Sequence, residues 1–207
     1  MPTPPSAPPR LLRGIGAAAL ILAVAGSSGS GAARDAEPSP PPTEKTGQTG
    51  PADRTVTPTG RQRFLAEVVD HLGYREPGHG RTPYGRWYAR KVADRSFVTG
   101  AWCGMFLDYC AERAGVGRQV RGHAWTVAHA RSFHADGRFD RRPRAGSIVF
   151  FDWDGSRRIE AIDHVGVVEE VLPDGRIRTL EGNTGDRVQR RERAMRTVVG
   201  FGHPRWR

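Results

Sequence analysis

The apolar residues of this chain recur at helical spacing up to about residue 134 and at strand spacing after Pro143. Helices first and strands afterwards imply an α+β domain, with N-terminal helices packed on an antiparallel β-sheet. From Arg61, the run RQRFLAEVVDHLG puts Phe64, Leu65, Val68, Val69 and Leu72 on one helical face, with Gly73 as a stop. A Gly- and Pro-rich loop follows, ending in Thr82-Pro83-Tyr84-Gly85-Arg86-Trp87-Tyr88. A second helix is predicted from about Ala101 to Ala114, closed by Gly115, and a third from Thr126 to His134. Strands are predicted over Ser147–Trp153, Asp163–Leu172, Arg176–Glu181 and near Thr197–Gly202. No internal repeat is visible.

Only the region from Arg61 to Arg207 has this patterning, enough for one domain. Residues 1–33 read as an export signal. Arg10 and Arg13 precede an apolar run from Ile15 to about Ala25, and small residues continue to Ala33. The run is much shorter than the ~20 residues of a membrane span. Ala25 and Ala33 are both suitable cleavage positions, and an uncleaved amphipathic anchor is the competing reading. No cysteine follows the run, which excludes a lipoprotein anchor. Residues 34–60 are rich in Pro, Thr, Ser and Gly and lack apolar periodicity, so they read as a disordered linker. The expected location is secreted, extracellular or associated with the cell wall.

The formal net charge is +10, carried almost wholly by arginine. Such a chain is drawn to polyanions, including wall polymers that carry phosphates. It has no run of five basic residues and no aromatic residues interleaved with a basic stripe, so nucleic acid is not an expected partner. A monomer is expected.

The two cysteines, Cys103 and Cys110, fall within the second predicted helix. Seven residues of helix rise about 10 Å, too far for a disulfide between them. Cys103 stands at the helix start, where free N–H groups and the helix dipole stabilise a thiolate and can also hold an oxyanion. Buried core packing is the competing reading for Cys103 and the preferred one for Cys110.

A nucleophilic thiol needs a base. Of seven histidines, His164 stands out, because it lies in a predicted strand beside Gly166, a residue that permits close approach to the backbone. His71 and His79 read as surface positions, and His129 and His134 do not share a helical face. No pair has zinc-site spacing such as CxxC or HExxH, so no metal and no cofactor are expected.

The base in turn needs an orienting acceptor. Leu172-Pro173-Asp174-Gly175-Arg176 is a turn signal between two strands. A two-residue type I′ turn would put Glu181 and Asn183 on the sheet face of His164. A type I turn with a bulged Gly175 shifts the register by one and turns Glu181 to the opposite face. The chemistry favours the first register or a compensating bulge, and both turns remain open.

Several segments, taken together and in order, resemble the CHAP domain family, the cysteine- and histidine-dependent amidohydrolases/peptidases with a papain-like core. They are Thr82-Pro83-Tyr84-Gly85-Arg86-Trp87-Tyr88, Trp102-Cys103-Gly104-Met105-Phe106 and Cys110-Ala111-Glu112-Arg113-Ala114-Gly115. Pro143 to Phe151, Asp163-His164-Val165-Gly166-Val167-Val168, Glu181-Gly182-Asn183 and Val199-Gly200-Phe201-Gly202 complete the set. The resemblance spans about Arg61 to Pro204 and suggests a secreted member of actinobacterial type. It implies Cys103 as nucleophile, His164 as general base, and Glu181 or Asn183 as orienter. It also implies amide hydrolysis in peptidoglycan, either at the muramic acid–L-alanine bond or within stem or cross-bridge peptides. The acidic calcium loop of some phage-lysin members has no counterpart in Phe97-Val98-Thr99-Gly100, so no calcium is expected there. Tyr84, Trp87, Trp102 and Trp153 are candidates for the aromatic walls of a substrate groove, against ordinary core packing. Two other readings stay open: an inactive wall-binding protein that keeps the fold, and an NlpC/P60-type endopeptidase.

Overall fold

The computed structural model describes residues 57–206. The export-signal reading and nearly all of the linker reading lie outside the described residues. Among the described residues five α-helices come before the sheet: α1 (Gly60–Val69), α2 (Pro83–Lys91), α3 (Cys103–Arg113), α4 (Gly117–Val120) and α5 (Thr126–Ala135). Six strands follow: β1 (Phe139–Asp140), β2 (Ile148–Phe151), β3 (His164–Val171), β4 (Ile177–Glu181), β5 (Gln189–Arg193) and β6 (Val198–Gly202). They form one antiparallel sheet in the order β1-β6-β2-β3-β4-β5. The domain is therefore α+β, as its periodicity predicts.

Local chemistry explains the helix ends. Thr59 caps α1 in a reciprocal box with Gln62. The segment Thr82–Tyr88, expected as the end of a loop, instead starts a helix. Thr82 Oγ1 accepts from the Gly85 N–H at 2.9 Å, and Pro83 occupies the first helical position. Both are helix-start signals that the surrounding glycines and prolines masked. The α3 helix ends as expected, with Gly115 at φ +69°.

The main core lies between the helices and one face of the sheet. Phe64, Tyr84, Trp102, Phe106, Leu107 and Phe133 meet Ile148, Phe150, Val165, Val167 and Leu180 there. A smaller cluster on the opposite face holds Val149, Phe151, Val168, Ile177, Val198 and Phe201. This face also carries His164, because Phe151 is its cross-strand partner.

The hairpin between β3 and β4 decides where Glu181 points. The Gly175 N–H donates to the Leu172 carbonyl at 3.0 Å, Leu172 N–H donates to Arg176, and Gly175 has φ +81°. This is the type I turn with a bulged glycine, not the type I′ loop. Near the turn, Val171 pairs with Ile177 and Glu170 with Arg178. Past Glu169 the pairing shifts, and Val168 faces Thr179 while Val167 faces Leu180. A second bulge at Glu169 thus compensates for the first and returns Glu181 to the face of His164.

Two strands have no counterpart in the sequence reading. The β5 sequence, Gln-Arg-Arg-Glu-Arg, offers no apolar alternation. It holds its place by pairing with β4 from Ile177↔Arg193 to Glu181↔Gln189. The β1 strand is only two residues long.

Candidate active site

Cys103 is the first residue of α3. The Phe106 N–H bonds the Trp102 carbonyl at 2.8 Å, so the preceding N–H groups of the turn have no intrahelical acceptor. Two glycines let α3 close on its surroundings. A Cβ at Gly182 would lie 2.6 Å from Phe106 Cδ1, and one at Gly104 would lie 2.2 Å from the His123 carbonyl oxygen. The end of β4 and the loop before α5 therefore both abut the first turn of α3. Cys103 is nearly buried and unpaired. Cys110, on the same helix, is buried among apolar side chains, and burial pushes its thiol up.

His164 begins β3, and its Nε2 donates to Glu181 Oε2 at 3.0 Å. That bond leaves Nδ1 as the ring nitrogen available to Cys103. Burial by itself would lower the His164 pKa. The neighbouring Cys103 thiol and the Glu181 carboxylate outweigh burial and carry it up to about 9. The imidazole ring also stacks on Trp153, at 5.5 Å between centroids, and on Phe151, at 5.9 Å.

Glu181 is fully buried. Arg193 Nε donates to its Oε1 at 2.9 Å, and Arg193 Nη2 donates to its Oε2 at 2.6 Å. Thr179 Oγ1 donates to Oε1 at 2.5 Å and Thr184 Oγ1 to Oε2 at 2.9 Å. Burial opposes ionisation of Glu181, but Arg193 and then His164 hold its carboxyl well below the usual carboxylate range. The Arg193 guanidinium also lies over Trp153, 4.9 Å from the ring centroid. His164, Glu181 and Arg193 therefore form one hydrogen-bonded chain, with the Cys103 thiol neighbouring its imidazole end.

Of the two candidate orienters, only Glu181 reaches His164. Asn183 lies just past β4 with φ 60°, and among the described residues it has no hydrogen bond to the imidazole. Thr184 comes closer, with Oγ1 3.3 Å from His164 Nε2.

The aromatic candidates divide. Tyr84 and Trp102 are buried in the main core, stacked on each other at 5.2 Å, and so cannot wall an open groove. The Trp102 indole N–H instead donates to Glu76 at 2.8 Å. Trp87 packs against Tyr109 and Lys91 on the outer side of α2 and α3. Trp153 is 44% exposed and stacks on His164, so of the four candidates it is the one placed both at the surface and against the imidazole. Trp125, at 67% exposure, was not among the candidates. Its loop lies on Gly104, next to Cys103. Isolated in sequence, Trp125 carried no signal of this placement.

The other histidines are placed elsewhere. His129 is fully buried, and burial lowers its pKa to about 4. His203 bridges Ser147 Oγ, at 2.9 Å, and Asp140 Oδ1, at 2.8 Å. This resembles a hydrolase relay, but Ser147 is buried just before β2 and so is closed to a substrate.

The glycine beside His164 has the role its position suggested. A Cβ at Gly166 would lie 2.8 Å from Glu181 Cγ. Gly166→Ala is therefore expected to push the carboxylate off the imidazole. Turnover should fall roughly tenfold to a hundredfold, as for other misplacements of about 1 Å. Steady-state kinetics on the folded variant would check this, and unchanged kcat would exclude it.

Residues 95–183 match the family model for the CHAP domain. The matched segment contains Cys103, His164, Glu181 and Asn183 and stops short of Arg193 on β5. Among solved structures, the peptidoglycan hydrolase RipB from Mycobacterium tuberculosis is similar at 14% identity with a TM-score of 0.43. The similarity covers 70% of this chain and 63% of that one. No curated protein matches.

The CHAP-matching segment thus carries a thiol at a helix N-terminus, an imidazole held by a buried carboxylate, and unpaired backbone N–H groups nearby. Together they can perform acyl transfer. The thiolate adds to a carbonyl carbon, helix N–H groups bind the resulting oxyanion, and the imidazolium protonates the leaving group.

Proposed function

We propose that this chain is an exported cysteine amidohydrolase that cuts amide bonds in peptidoglycan. The observation that carries the reading is His164, poised between Cys103 at the start of α3 and the buried Glu181. The CHAP-domain match supports a peptidoglycan hydrolase, and the basic, arginine-rich composition suits work near anionic wall polymers.

In the proposed reaction the Cys103 thiolate attacks the amide carbonyl carbon. The tetrahedral oxyanion is held by N–H groups of the first turn of α3. His164 gives its proton to the departing amine nitrogen, the C–N bond breaks, and a thioester remains. Water, deprotonated by His164, then attacks the thioester carbon. The products are a carboxylic acid and the regenerated thiolate. Glu181 keeps the imidazole oriented and stabilises its charged form. Trp125 and Trp153 flank the bond to be cut.

The test is digestion of purified peptidoglycan with mass spectrometry of the products. Stem peptides released from intact glycan identify an amidase, and muropeptides split within the stem or bridge identify an endopeptidase. Absence of any product under reducing conditions would overturn the reading.

The His164 pKa gives a further expected result. With the folded value near 9, the imidazolium that protonates the leaving amine is present across neutral pH. It is lost as pH rises through about 9, so kcat/KM should have its alkaline limb there. The same group stabilises the fold fully below about 6.5, and that contribution fades as pH rises through about 9. A pH–rate profile and Tm measured over the same range check both statements. An alkaline limb near 6.5 would contradict them.

A further inference from the structure

A cavity of about 290 Å³ lies at the end of α5 remote from Cys103 and His164. It is lined by Arg118, Gln119, Arg121, Asp136, Arg138 and Arg205. Thr126, at the other end of α5, donates to the Ile162 carbonyl at 3.0 Å, two residues before His164. The helix has ten residues and so rises about 15 Å between the two places.

Four guanidiniums face a single carboxylate there. Arg121 lies 2.7 Å and Arg138 3.0 Å from Asp136 Oδ2. Arg138, followed by Arg121 and Arg205, holds the Asp136 carboxyl below its ordinary range. Two of the arginines are fixed in place. Arg138 is largely buried over the Phe133 ring and donates to the His203 carbonyl at 3.0 Å. Arg121 donates to the Ser132 carbonyl at 3.3 Å. Arg118 and Arg205 are exposed at the rim, and among the described residues neither has an ion-pair partner.

We propose that this pocket binds the phosphodiester groups of an anionic polymer. Guanidinium forks match phosphate oxygens in pairs, and the two held arginines lose little freedom on binding. The surplus of positive charge persists after Asp136 is counted. The pocket presents no aromatic face on which a base could stack, which favours a polyol phosphate over a nucleic acid. Such a contact would hold the chain on a phosphate-bearing polymer at the end of α5 opposite the Thr126–Ile162 bond that lies beside His164. Binding itself does not depend on the proposed hydrolase activity, but the tethering of an enzyme to its wall does.

The test uses the full chain and poly(glycerol phosphate), with affinity measured at two salt concentrations. Arg118→Ala/Arg205→Ala removes the rim without touching Arg121 or Arg138, the two held arginines. Arg86→Ala/Arg90→Ala, both exposed on α2, makes the same change in net charge elsewhere. The rim pair should weaken binding about tenfold and flatten the salt dependence, while the α2 pair should leave both nearly unchanged. Hydrolysis of phosphate-free peptidoglycan should be the same in all three proteins. Arg86 and Arg90 line a separate arginine-rich cavity with Arg81 and Arg95, so equal weakening by the two pairs would show no preference for the α5 pocket and overturn it. No polymer binding by the parent chain at low salt would overturn it too. Inorganic phosphate binding as tightly as the polymer would make this a free-phosphate site, and tighter binding of single-stranded DNA would replace the ligand class. Failure of the parent chain to cut peptidoglycan would overturn the hydrolase reading and leave the binding result standing.

Discussion

Cys103→Ala is expected to reduce amide hydrolysis by roughly 10⁴-fold or more while leaving the fold intact, since removing a nucleophile leaves only binding and oxyanion stabilisation. The thiol is small and sits at the helix start, so its loss creates little cavity. Its partners do not depend on it for position. His164 remains held by Glu181 and stacked on Trp153 and Phe151. The thiol does contribute to the raised His164 pKa, so the imidazole of the variant should titrate below about 9. Three measurements check the prediction: release of soluble products, the thermal transition, and the imidazole titration by NMR. Full activity in Cys103→Ala would rule out the thiol as nucleophile. Serine at the same position separates size from nucleophilicity and should also be nearly inactive.

Arg193→Ala is expected to destabilise the domain by about 3–5 kcal/mol, because it removes one partner of a buried ion pair and strands the other. Glu181 has no exposure, and Arg193 makes two hydrogen bonds to it. Thr179, Thr184 and His164 remain as donors, which argues for the lower half of that range. Activity should fall as well, since an uncompensated Glu181 takes up a proton more readily and then orients His164 less firmly. The depressed Glu181 pKa stabilises the parent fold above the ordinary carboxylate value, and that stability is lost as pH falls through the folded value. Arg193→Ala should therefore lose less stability on acidification than the parent. Urea denaturation at pH 7 and at pH 4 checks this. A change under 1 kcal/mol at neutral pH would place the charge compensation elsewhere. In a double-mutant cycle with Glu181→Gln, the two changes should couple strongly, because the second removes the charge that the first exposes.

Much of this arrangement was legible in the sequence. Helix-before-strand order, the start of α3 at Cys103 and the placement of His164 on a strand all follow from patterns of apolar residues and from Gly115. The site was legible as far as residue types can be assigned to a helix start and a sheet face. Arg193 escaped because β5 has no apolar alternation; its register comes from pairing with β4 rather than from burial. Tyr84 and Trp102 were read as possible groove walls because sequence does not distinguish an aromatic that faces a cleft from one that fills a core. The α2 helix was hidden by the glycines and prolines around its Thr82-Pro83 start. Whether Glu181 faces His164 rested on hairpin register, and a bulge inside a strand leaves no signature as strong as a turn.

That hairpin has a consequence of its own. Each one-residue bulge advances a strand by half its repeat and exchanges the inward and outward side chains. The turn at Gly175 and the bulge at Glu169 are two such half-steps, and together they restore the original phase at His164. The His164 end of the ladder therefore depends on both defects together: removing either one alone would turn Glu181 to the opposite face. A tip longer or shorter by one residue keeps Glu181 facing His164 only if the bulge at Glu169 is gained or lost in step. What sets the facing of Glu181 is the parity of the two defects, not the identity of either.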